Sequence, residues 1–154
     1  VLLAALEAAR AELLSASVLV PESERATRPI CGEWTLKDVL GHVADWEWYA
    51  VKGLRQMADG QKPDPEPIVD IETWNVAHVK ARRDQPWEAV WDDLHAARRA
   101  FLEVLNGMSE AELARSFPFA WGEEGSPYQW CAVFVGHDRE HARDPRGPLE
   151  KLRK

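Results

Sequence analysis

"GEWTLKDVLGHVADWEWY", residues 32–49, contains the start of the helix from which the rest of the chain can be read. Thr35 followed by Asp38 is a variant capping box, with Asp where Glu or Gln is usual. Trp34 before the cap and Val39 at the fourth helical position suit a hydrophobic staple. Apolar residues then recur at spacings of three and four: Leu36, Val39, Leu40, Val43, Trp46, Ala50, Leu54 and Met57. That is one face of an α-helix, and Gly60 ends it. His42 flanks this face about two turns in, beside Val39 and Trp46.

Three more long helices follow the same rules. The first spans 1–16, with Leu2, Leu6, Ala9 and Leu13 on one face. It opens at a Val with no capping residue, so the natural start is expected to be trimmed away or disordered. Its Glu7, Arg10 and Glu12 make it amphipathic rather than a signal peptide. The loop "VPESERATRPICGE" leads on to the second helix. A segment with three prolines, "QKPDPEPIVD", comes after it and reads as a non-helical crossover. A shorter helix over 71–83, capped by Asp70, is expected within that crossover. The third long helix starts near Pro86 and carries Trp87, Val90, Leu94, Ala97, Phe101, Val104 and Met108, ending at Asn106 and Gly107. "SEAE" at 109–112 opens a short helix, and a loop with Phe117, Pro118 and Trp121 follows. Ser126 and Gln129, with Pro127 at the first helical position, open the fourth long helix. It is expected to reach Asp144, where Pro145 stops it.

No stretch sustains strand-like alternation, and there is no internal repeat, so an all-α chain with one domain over 1–154 is expected. Four long helices with one long crossover make a four-helix bundle. The crossover, about 25 residues, is long enough for helices two and three to run parallel.

Composition narrows the function. The chain has 154 residues, 45% of them apolar, and a net charge of −7. That argues against a nucleic-acid partner, since the only dense basic stretches, "KARR" at 80–83 and the final "EKLRK", read as solvated helix ends. The apolar run "WCAVFV" is far short of a membrane span. Cys31 and Cys131 form no metal-type cluster, and a reducing cytoplasm is the expected compartment. Eight tryptophans read mainly as packing. Trp48, opposite the second helix's core face, suits a dimer contact.

The histidines carry the chemistry. Trp130, Phe134, His137 and His141 fall on one stripe of the fourth helix. Imidazoles four apart can converge on one metal ion, although a pair of surface histidines near a helix C-terminus would look the same. If helices two and four are antiparallel, His42 comes level with that pair and completes a tri-histidine site. His95 lies off its helix's seam and is expected to be exposed; His78 is expected to be structural.

"HDREH" also spells the H-x-x-E-H of inverted zinc peptidases, with Glu140 as base. That reading is set aside. Such enzymes need a further acidic ligand well downstream, and the chain is too short for their fold. Glu140, like Asp38 and Asp45, could instead orient a ligand imidazole. Trp46 could wall a substrate pocket. Arg98 sits unexpectedly on the third helix's seam. It either snorkels to water, the favoured reading, or binds a substrate or cofactor carboxylate.

"GEWTLKDVLGHVADWEWY" resembles the second-helix signature of the DinB/YfiT-like superfamily, and "GHDREHARD" resembles that superfamily's last helix. "IETWNVAHVKAR" and "FLEVLNGMSEAELARSF" look like its middle, so the resemblance covers nearly the whole chain. It implies an up-down-down-up four-helix bundle, commonly a homodimer. It also implies a divalent metal, zinc or nickel, held by His42, His137 and His141. Relatives include thiol-dependent transferases and mycothiol-dependent maleylpyruvate isomerase, so a low-molecular-weight thiol such as bacillithiol or mycothiol is an implied cofactor. The expected function is metal-dependent, thiol-dependent transfer or hydrolysis on a small electrophilic substrate, because a divalent ion makes a thiol or water held there more acidic. The alternative is a non-catalytic bundle that binds metal or a small molecule, as in sequestration or self-resistance.

Overall fold

Three capping boxes set the helix starts. Thr35 and Asp38 exchange side-chain and backbone hydrogen bonds at the start of α2, Leu36–Ala58. Ser109 and Glu112 do the same for α6, Glu110–Ala114, and Ser126 and Gln129 for α7, Pro127–His141. The remaining helices are α1 Leu2–Ser17, α3 Glu66–Val69, α4 Ile71–Ala81 and α5 Trp87–Gly107. The computed structural model describes residues 1–119 and 122–147, so the expectations for Trp121 and the final "EKLRK" lie outside the described residues. The described fold is mostly helical, and none of its helices is long and apolar enough to cross a membrane.

The four long helices meet in two apolar clusters. One takes Leu6 of α1, Leu54 of α2, Phe101 of α5 and Phe134 of α7, with Trp130 and Tyr49. The other takes Leu13, Leu40, Leu94 and Ala142, with Val43 and Val90. Along each helix one charged residue separates the two clusters: Arg10, Glu47, Arg98 and Asp138. All four are buried, Glu47 and Asp138 completely. Arg10 donates from Nε to Asp138 at 3.0 Å and from Nη2 to Glu47 at 2.8 Å. Arg98 donates from Nε to Glu47 at 2.7 Å, from Nη2 to Asp138 at 2.9 Å and again to Glu47, and from Nη1 to the Leu6 carbonyl at 3.0 Å. The expectation that Arg98 snorkels to water is therefore corrected. All three of its guanidinium nitrogens serve internal acceptors, through four of its five N–H groups.

Four other expectations change. Two short antiparallel ladders are present, β1 Pro29–Cys31 with β2 Trp34–Thr35, and β3 Phe117–Pro118 with β4 Glu124–Gly125. Strands of two or three residues cannot carry a visible alternation. Gly32 makes the turn between β1 and β2 at φ +57, where a Cβ is disfavoured. α3 forms inside the proline-rich crossover, because Pro67 sits in its first turn, where a missing N–H costs nothing. α7 stops at His141, and the chain re-forms as a 3-10 turn over Asp144–Arg146. Pro145 accounts for this, since it has no N–H to donate to the His141 carbonyl and so cannot continue the α-helical ladder. His95 is half-buried rather than exposed, its Nδ1 2.8 Å from the Trp91 carbonyl.

The crossover is fastened to α2 at several points. Arg82, just past α4, donates to Asp45 at 2.7 Å and to Asp93 of α5 at 2.5 Å. Lys37 donates to the Arg83 and Gln85 carbonyls at 2.9 and 2.8 Å, serving orphan acceptors beyond the helix end.

Candidate metal centre

His42 comes from the first half of α2, and His137 and His141 from the last turns of α7. Their rings form a closed triangle. Ring centroids are 5.0 Å apart for His42 with either partner and 4.7 Å for His137 with His141. One ligating atom from each lies within 4.8 Å of the others. The Nε2 atoms of His42 and His137 are 3.1 Å apart. Two imidazole nitrogens that each sit about 2.0–2.1 Å from one ion would be separated by roughly 3 Å. The spacing therefore fits a shared divalent ion.

Electrostatics keep His42 and His137 as ligands rather than cations. Burial lowers the His42 pKa to about 3, with the neighbouring His137 and His141 adding to the effect. Burial, then His141, lowers His137 to about 4, against an opposing pull from Asp138. A neutral imidazole has a free lone pair, which a metal requires. His42 is 6% exposed and His141 9%, while His137 is half-buried.

The surroundings differ from those expected. Trp34 is the indole beside the triad, its ring 5.0 Å from His42. Trp46, expected at the pocket wall, is half-buried against Trp74 at 4.6 Å and donates to Asn75 at 2.8 Å. Glu140, offered as the carboxylate orienting a ligand, is exposed. That contact belongs to Asp144, whose Oδ2 is 2.8 Å from His141 Nδ1. The sequence signal was present, because His141 and Asp144 are three apart with Pro145 next, but an uninterrupted helix was assumed. The other acids near His42 are engaged elsewhere: Asp38 in the α2 capping box and Asp45 with Arg82. His78 lies away from the triad, its ring stacked 3.7 Å from Trp74.

A cleft of about 760 Å³ lies away from the triad. It is lined by Leu2, Leu105, Met108, Leu113 and Tyr128, beyond the opposite end of the core. Two smaller clefts of about 440 and 270 Å³ share Asp45 and His78, and Arg82 and Lys52 already pair three of their acids. None of these three clefts is lined by His42, His137 or His141, and it is the donor set that marks the triad.

No curated protein and no solved structure matches the chain. The sequence profile of the DinB superfamily matches residues 5–144. That span runs from the turn bearing Leu6 and Arg10 through all three histidines to the aspartate that holds the last of them, and so the chain belongs to the DinB superfamily.

Proposed function

We propose that this protein is a divalent-metal-dependent enzyme whose tri-histidine centre, His42, His137 and His141, carries out thiol-dependent transfer or hydrolysis on a small electrophilic substrate. The observation that carries the reading is the convergence of three largely buried imidazoles from two helices. Burying such polar groups together is costly unless a partner satisfies them. The buried Nδ1 atoms of His42 and His137 have no hydrogen-bond partner among the described residues. Each is therefore free to carry the proton, leaving its Nε2 lone pair for an ion. His141 reaches the same state by donating from Nδ1 to Asp144. When bound, the ion supplies the positive charge that makes a thiol or water at the site more acidic. Trp34 and Phe134 flank the triad.

The reading extends to an up-down-down-up four-helix bundle. In chain order α1 and α7 pass from the cluster of Leu6 and Phe134 to that of Leu13 and Ala142, whereas α2 and α5 pass the other way. It also includes a low-molecular-weight thiol as cosubstrate, zinc or nickel as the ion, and a homodimer that uses the 36% exposed Trp48. A reducing cytoplasm suits the two free cysteines.

Metal analysis of the purified protein is the first test. About one divalent ion per chain is expected, and none in His42→Ala. A metal-free protein whose stability ignores chelators would sink the proposal. Turnover of a panel of electrophiles that depends on added thiol then separates an enzyme from a binder. The second reading, a non-catalytic metal or small-molecule carrier, is favoured by the low exposure of His42 and His141. Bound metal with no turnover for any thiol would select it.

A further inference from the structure

We propose that Asp144 is a positioning residue for the histidine centre. The inference rests on the metal reading above and adds a residue-level account of how one ligand is aimed.

The three ligands are not held alike. His42 and His137 have no partner at Nδ1 among the described residues and meet each other through Nε2 at 3.1 Å, so no hydrogen bond from outside the triad orients their rings. His141 is different: its Nδ1 stands 2.8 Å from Asp144 Oδ2. A carboxylate accepting from Nδ1–H selects the tautomer whose Nε2 lone pair faces the other two imidazoles. Such an outer carboxylate both fixes the ring and makes the nitrogen a better donor. His141 is therefore the anchor ligand, and the other two close on it.

Asp144 is also held by its setting. It opens the 3-10 turn Asp144–Arg146, against which β1 packs. Pro145, buried immediately after, pins the turn.

The test uses the full chain, with Zn²⁺ as the probe. Competition with a chromophoric chelator gives affinities for the wild type, Asp144→Ala and Asp144→Asn. Side-chain ¹⁵N NMR of the metal-free protein at alkaline pH reads the His141 tautomer. Asp144→Ala is expected to weaken Zn²⁺ binding about 10–100-fold and to release His141 from the Nδ1–H form. Asp144→Asn, which keeps an acceptor, should retain that tautomer and fall in between. A purely structural aspartate would change stability without moving the tautomer. Asp144→Ala binding within about twofold of wild type, or an Nε2–H His141 in the wild type, would overturn the inference. The tautomer readout needs only the wild type, so it decides the matter even if a variant does not fold. If wild-type protein binds no Zn²⁺, the metal reading fails separately, and the tautomer still reports on Asp144.

Discussion

His42 and His137 carry pKa values of about 3 and 4 because each would place a cation among other imidazoles in a buried site. An unfolded histidine titrates near 6.5. Between that value and the folded ones, the unfolded chain binds protons that the folded protein refuses. Stability of the metal-free protein is then full above about pH 6.5 and falls as pH drops, by at most about 1.4 kcal/mol per pH unit for each group. Urea melts of the metal-free protein from pH 7.5 to 4.5 should show that decline. His137→Leu should flatten it, because it removes one titrating ring and relieves the repulsion on His42. A wild-type curve that is flat over this range would contradict the environment described for both rings. The triad itself was legible in the sequence, since each histidine lies on or beside an apolar stripe. Asp144 was not, because its role depends on a helix ending three residues early. Nor was Trp34's place beside His42, because that depends on the angle at which the chain enters α2.

At the scale of elements, local chemistry was the readable part. All three capping boxes form, and the apolar seams of α1, α2 and α5 mark the buried faces. What could not be read were pairings set by tertiary contact, such as the two short ladders and α3. Gly53 is a further case. It sits inside α2, where Ala would be better by about 1 kcal/mol on helix propensity. A Cβ there would meet the Trp130 ring and approach Pro63 at 3.5 Å. The indole is seated in the core, 6% exposed and 5.7 Å from Tyr49. Overpacking should win, and Gly53→Ala is expected to destabilise the fold by about 1–3 kcal/mol. Thr35→Ala, which removes the cap of the same helix, should cost about 1 kcal/mol. Thermal melts of the two variants would check both values.

Across the whole molecule, the quartet of Arg10, Glu47, Arg98 and Asp138 joins all four long helices through side chains that are at most 9% exposed. The signal existed in the sequence: each charge falls four residues after one core position, at Leu6, Val43, Leu94 and Phe134. Only Arg98 stood out by itself, because the match of two cations to two anions becomes visible once the helices are brought together. Removing one member leaves a buried charge without its counterpart. Glu47→Ala should therefore cost about 3–5 kcal/mol, while Glu12→Ala, at an exposed pair with Arg139, should change stability by no more than about 1 kcal/mol. Denaturant titrations at pH 7 would separate the two. The quartet also constrains the order of assembly. With α1, α2 and α5 gathered but α7 still unfolded, two guanidiniums face a single carboxylate, and the half-built interior carries an excess positive charge. Docking of α7 cancels that charge through Asp138 and, in the same motion, delivers His137 and His141 to His42. The step that neutralises the interior is thus also the step that creates the metal centre, so a chain trapped before it should hold neither a settled core nor an ion.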